Sequence, residues 1–194
     1  MEILNNIWHT LTTPNETITL LITSPCMFIE NYLYFLIFTT TLDIEYTKTQ
    51  RNIYILFIPI LGFINTLFVS NPFNVFINYA IIFIFIKLLL KIDTIKSILA
   101  IAIPFAIFGL VNTLIMNPFL KFFNVTIETT STVPIYKLMY LFFVYMIIFF
   151  IIILMKSKNL IFRLQNDLDK STYNIFFANL SLGILTLCIQ ALLT

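Results

Sequence analysis

Six apolar runs joined by short polar links dominate this chain, at residues 17–42, 53–70, 73–91, 97–117, 135–155 and 173–193. Each approaches the ~20 residues that a helix needs to cross a ~30 Å hydrocarbon core. Lipid offers no water to backbone N–H and C=O groups, so a spanning segment must satisfy them internally, as a helix does. A transmembrane barrel would alternate apolar and polar residues, and these runs do not. The expected fold class is therefore all-α: a polytopic integral membrane protein with about six transmembrane helices. Ser70-Asn71-Pro72, the shortest link, reads as the tight turn of a helical hairpin.

Composition agrees with the runs. Sixty per cent of the 194 residues are hydrophobic and 10% are charged, with a mean hydropathy of +0.99. A soluble domain carries roughly 25% charged residues, so this chain has too few to cover a surface facing water. The net charge of +2 gives no reason to expect nucleic acid as a partner; the lipid bilayer is the expected one.

Ahead of the runs, Ile3, Leu4, Ile7, Trp8 and Leu11 recur with helical spacing, opposite Asn5, Asn6, His9 and Thr10. Residues 1–13 are expected to form a short amphipathic helix in the membrane interface, with Trp8 at headgroup depth. Thr13-Pro14-Asn15-Glu16 then reads as a capping box: a threonine cap, proline at the first helical position and glutamate three residues after the cap. Residues 14–194 make up the six-helix domain.

Orientation follows from the basic residues. Lys48, Arg51, Lys87, Lys91, Lys96, Lys156, Lys158, Arg163 and Lys170 lie at the links after runs one, three and five, whereas only Lys121 and Lys137 lie at the others. The positive-inside rule makes the nine-residue side cytoplasmic. Both termini are then expected outside. The chain stops at Gln190-Ala191-Leu192-Leu193-Thr194, still apolar, which suggests the front part of a longer protein.

Glu30 is the one ionisable side chain near the middle of a run. In a straight helix starting at residue 17 it would lie roughly 20 Å deep. An intramembrane carboxyl is a functional-site hypothesis by default. No lysine or arginine sits at matching depth, so protonation is one reading. Bonding to amides such as Asn31, Asn65, Asn78 or Asn112 is the other. The group then serves either as a ligand or proton contact or as a neutral tie between helices. Asn65, Asn78, Asn112, Asn179 and Gln190 can each bond across helices for about 0.6 kcal/mol. Pro25, Pro59 and Pro104 are expected to kink their helices or to remove a bond each.

Two patterns concern organisation. Pro59…Gly62…Asn65-Thr66-Leu67…Asn71-Pro72-Phe73 in run two echoes Pro104…Gly109…Asn112-Thr113-Leu114…Asn117-Pro118-Phe119 in run four. The echo fits either a parallel duplication or coincidence in an alphabet rich in Ile, Phe and Asn. In the last cytoplasmic link, Leu160, Ile161, Leu164 and Leu168 form a helical stripe. It suits docking on a partner or on a downstream domain, and equally a lipid surface.

No catalytic site is expected. The single His9 rules out a multi-histidine metal site, and Cys26 and Cys188 read as buried small hydrophobes. Paired carboxylates, a phosphate loop and a zinc-binding helix motif are all missing from the sequence. No cofactor or metal is implied.

Met1 to Trp8 with Thr12-Thr13-Pro14-Asn15-Glu16, the Asn71-Pro72-Phe73-Asn74-Val75-Phe76-Ile77-Asn78 stretch and the ending Cys188-Ile189-Gln190 resemble the N-terminal membrane region of clostridial sensor histidine kinases. These are the peptide-pheromone receptors related to the accessory-gene-regulator receptors. The resemblance covers essentially the whole chain. It implies a multi-pass sensor in a bacterial plasma membrane, with an external N-terminus, working as a homodimer and receiving a ligand such as a short peptide. Catalysis would belong to a GHKL-type kinase portion after Thr194, through which a response regulator would be reached; His9 does not correspond to the phosphoacceptor histidine. The competing reading is a transport component such as the substrate-binding subunit of a vitamin importer, though such subunits favour small-residue helix faces and this chain has few.

Overall fold

The computed structural model describes the backbone of residues 2–68 and 73–158, and the side chains of residues 4–68 and 77–158. The sixth run at 173–193, the stripe of Leu160, Leu164 and Leu168, and the Ser70-Asn71-Pro72 turn lie outside the described residues. Within them the chain is helical: α1 (Glu2–Thr12), α2 (Glu16–Thr23), α3 (Cys26–Thr41), α4 (Lys48–Phe68), α5 (Phe73–Leu90), α6 (Thr94–Phe123), α7 (Ile127–Thr132) and α8 (Pro134–Ser157).

By length and composition α4, α6 and α8 suit a membrane crossing, and α2 with α3 makes a fourth span if the bent pair is counted as one. A shorter apolar helix covers Ile77–Leu90 within α5. Large hydrophobic side chains line the outside of these helices, among them Leu56, Phe57, Ile60 and Leu67 on α4 and Phe142, Met146, Phe149 and Phe150 on α8. An apolar surface this extensive is unsuited to water. The protein is a helical membrane protein.

The first run is not one straight helix. Its two parts meet at Ser24-Pro25 with a 50° bend. Pro25 has no N–H, so the Leu21 carbonyl loses its usual partner one turn below. The Ser24 hydroxyl donates to that carbonyl instead, at 2.9 Å, and the break is satisfied where it occurs. Nor does the expected capping box form. The Thr13 hydroxyl donates back to the His9 carbonyl at 2.7 Å, closing α1, while the Asn15 side chain accepts from the Ile18 N–H at 3.0 Å and caps α2.

The fourth run also differs from expectation. α6 spans 30 residues and continues through Asn117-Pro118 rather than ending there. Phe119 makes that extension worthwhile: it is buried against Phe123 and Tyr140, with ring centroids at 4.7 and 5.4 Å. Asn124, in the left-handed conformation, ends the helix. Asp43 and Lys91 adopt the same conformation just beyond α3 and α5, in a chain with only three glycines. α7 was not legible as an apolar run. Thr126 caps it by accepting from the Thr129 N–H, and the Thr132 carbonyl at its end accepts from the Asn15 N–H (2.9 Å) and the Thr19 hydroxyl (2.6 Å). This staple ties α7 to the start of α2.

α3 is the central element and packs against α4, α6 and α8. One cluster joins Leu33, Leu36 and Ile37 of α3 to Phe108 and Val111 of α6 and Val144 and Ile148 of α8. A second joins Phe35 and Phe38 of α3 to Tyr54 and Ile58 of α4, Ile86 of α5 and Leu99 of α6. Polar residues enter these cores by bonding within their own helix, as Thr39 and Thr41 do to the carbonyls of Phe35 and Ile37. Lys48, Arg51, Lys87, Lys91, Lys96, Lys156 and Lys158 sit at the ends of α4, α5, α6 and α8 that meet on one side. There the Gln50 amide donates to the Leu89 carbonyl at 2.7 Å, and Lys87 to the Thr94 hydroxyl at 3.0 Å.

Candidate functional site

Polar residues of α3 and α5 meet at a cavity of about 200 Å³ between α3, α4 and α5. Met27, Glu30, Asn31 and Tyr34 follow one another at helical spacing, so α3 gives the cavity a single face. α4 contributes Ile58, Pro59 and Gly62, and α5 contributes Asn78, Tyr79, Ile81 and Ile82. Pro59 and Gly62 carry little bulk, which lets the opposite wall stand back. A Cβ built on Gly62 would meet Asn78 Oδ1 and Met27 Cε, both at 3.8 Å. α6 supports the floor: the Tyr34 ring stacks on Phe108 at 4.3 Å, and Tyr79 meets Phe105 edge-on at 5.5 Å.

The bend changes the depth of Glu30. Measured along α3, with α2 leaning away by 50°, the carboxyl lies about 15 Å from the start of the run instead of about 20 Å. It belongs to the half of the bundle away from the lysine-rich ends. Tyr145 of α8 reaches across and its hydroxyl donates to Glu30 Oε2 at 3.4 Å and to the Cys26 carbonyl at 3.3 Å. Both distances are long, as expected of one hydrogen shared between two acceptors. Lys137, two turns from Tyr145 on α8, acts on the carboxyl through its field without forming an ion pair.

The expected amide partners are differently employed. Asn31 donates to the Met27 carbonyl at 2.8 Å within α3. Asn65, 7% exposed, donates from α4 to Asn78 Oδ1 of α5 at 2.9 Å. Asn112 of α6 lies away from the cavity and accepts from the Tyr140 hydroxyl of α8 at 3.0 Å. The structure therefore brings Glu30, Asn31 and Asn78 to one cavity, with Asn65 behind Asn78, and places Asn112 in a separate helix contact. Sequence reasoning missed Tyr34, Tyr79 and Tyr145. The available signal was the stripe of Met27, Glu30, Asn31 and Tyr34 at i, i+3, i+4 and i+7.

Among the described residues no group of three histidine, cysteine or carboxylate side chains is placed to hold a metal ion. The cavity lining, among the described residues, offers a carboxyl, amides and tyrosine rings inside an apolar wall, and no nucleophile–base pair. Comparison with protein-family models, with curated proteins and with solved structures finds no match for the chain.

Proposed function

We propose that this chain is the ligand-receiving membrane part of a bacterial sensor. In this reading six helices cross the plasma membrane, both termini of the segment lie outside, and α1 rests on the outer interface through Leu4, Ile7 and Trp8. The cavity around Glu30 receives an extracellular or membrane-borne ligand such as a short peptide. The carrying observation is the position of that cavity: a pocket of a carboxyl and amides in an apolar wall between α3, α4 and α5, in the half of the bundle away from the basic helix ends. Pockets of this kind, apolar with a few placed polar groups, are the usual form of a small-molecule site. A ligand there changes signalling by its differential affinity for two helix arrangements. The receptor acts as a homodimer, with Leu164 and its neighbouring leucines as the seam to a cytoplasmic kinase that serves a response regulator.

The test is to express the full-length gene product in lipid nanodiscs and to measure autophosphorylation with ATP. A coding sequence that continues past Thr194 into an ATP-binding kinase, and a labelled product, support the reading. A stop codon at Thr194 beside a gene for a transport ATPase overturns it in favour of an importer subunit.

A further inference from the structure

We propose that the ligand taken by this cavity is a primary ammonium group carried on a short apolar body, bound at Glu30; the proposal rests on the reception reading and names its ligand class. Asn31 donates into its own helix, Asn65 donates to Asn78, and the Tyr145 hydroxyl is shared between Glu30 and the Cys26 carbonyl. Among the described residues the Glu30 carboxyl receives only the shared Tyr145 hydroxyl, and it lines the cavity together with the Asn31 side chain. A carboxylate has more acceptor sites than one shared hydroxyl fills, and an –NH₃⁺ group brings three donors to them.

Charge points the same way. Glu30 faces Tyr145 and the Cys26 backbone on one side and the cavity with Tyr34 on the other. Among the described residues no cation forms an ion pair with Glu30; Lys137, two turns from Tyr145 on α8, acts on it only through its field. A carboxylate in a low-dielectric setting is costly without a partner, and a bound ammonium supplies one. The rings of Tyr34 and Tyr79 line the same cavity and add faces to which a cation is attracted. Size sets the body: an apolar cavity of about 150 Å³ holds a benzene ring, so about 200 Å³ holds a ring or branched alkyl group with its amine. A free amine and the N-terminal residue of a peptide both meet this description.

The full chain in nanodiscs is titrated at pH 7 with 2-phenylethylamine, its N-acetyl derivative, and the tripeptide Phe-Leu-Ile with free and acetylated N-terminus, by calorimetry. Binding of 2-phenylethylamine with at least tenfold loss on acetylation, and at least tenfold loss in Glu30→Gln, supports the proposal. The exposed Glu16→Gln is the control and binds as wild type. Should Glu30→Gln fail to fold by circular dichroism, Gly62→Leu, which fills the cavity and leaves the carboxyl in place, is expected to remove binding. If the free tripeptide also binds and its acetylated form does not, the natural source is a peptide end; if only the amine binds, it is a free amine. Equal binding of acetylated and free amine, no binding of either, or full binding by Glu30→Gln or Gly62→Leu overturns the ammonium assignment. The kinase measurement above is independent of these probes, so failure here removes the ligand class and leaves the reception reading to its own test.

Discussion

Replacing Gly62 with alanine should move stability and binding in opposite directions. Alanine is favoured over glycine in a helix by up to about 1 kcal/mol. The new methyl would lie 3.8 Å from both Asn78 Oδ1 and Met27 Cε, at ordinary contact distance, so each contact adds about 0.1–0.2 kcal/mol and no strain. A gain of about 0.5–1 kcal/mol corresponds to a rise in Tm of about 1–4 °C for a chain of this length. The same methyl takes up about 30 Å³, one water's share of liquid volume, from a cavity of about 200 Å³. One methylene of misfit in a pocket is worth about 1–3 kcal/mol, so affinity for 2-phenylethylamine should fall about 10–100-fold. Thermal unfolding in nanodiscs, followed by circular dichroism and paired with calorimetry, reads both. A lower Tm for Gly62→Ala would refute the open space at Gly62, and a raised Tm with unchanged affinity would place the ligand elsewhere.

Three further expectations follow from the described geometry. Glu30→Gln keeps an acceptor for the Tyr145 hydroxyl and should unfold within about 2 °C of wild type, whereas Glu30→Leu leaves that hydroxyl only the Cys26 carbonyl and should lose about 0.5–1.5 kcal/mol; equal losses in thermal unfolding would show that the Tyr145–Glu30 contact is immaterial. The Asn65–Asn78 bond should give a coupling energy of about 0.6 kcal/mol in a double-mutant cycle with leucine at each position, and a value near zero would mean the two amides are independently solvated. A single cysteine at Ser157, in a background without Cys26 and Cys188, should react with a membrane-impermeant maleimide only after the cell is permeabilised; labelling of intact cells would reverse the orientation.

Helices were the legible part, because in lipid the length and apolarity of a run leave the backbone few alternatives. α4 and α8 lie close to the expected runs at 53–70 and 135–155. Ends and bends were harder to read, since they are decided by single hydrogen bonds. The capping motif at Thr13 was outcompeted when that hydroxyl turned back to His9 and Asn15 took over the cap. The prolines differed in effect: Pro25 bends its run by 50° as its position suggested, while α6 runs on through Pro104 and Pro118. What separates them is packing, for Phe119 has a buried place beside Tyr140 and so carries α6 past the expected stop. Glu30 stood out as a lone carboxyl in an apolar run, but its tyrosine partner lies 115 residues away, a pairing no local pattern encodes. In the echo between runs two and four, Thr66 and Thr113 bond back to Gly62 and Gly109, as Thr39 and Thr41 do to their own i−4 carbonyls. The neighbouring asparagines nevertheless recruit different partners, Asn78 and Tyr140.

From Leu33 to Thr41 α3 is almost wholly enclosed by its neighbours, and this gives it an unusual relation to the bilayer. A helix that touches lipid adjusts its tilt when the hydrocarbon thickness changes, at a modest cost per ångström of mismatch. α4, α6 and α8, with their wide apolar flanks, are subject to that force directly. The inner half of α3 receives it only second-hand, through side chains wedged between two clusters. Glu30 is carried on the same rigid rod one turn beyond this enclosed stretch. Shifts in acyl-chain length or growth temperature that re-tilt the outer helices would therefore reach the Glu30 face of the cavity damped, and the α4 face directly, so the cavity would change by the movement of one wall.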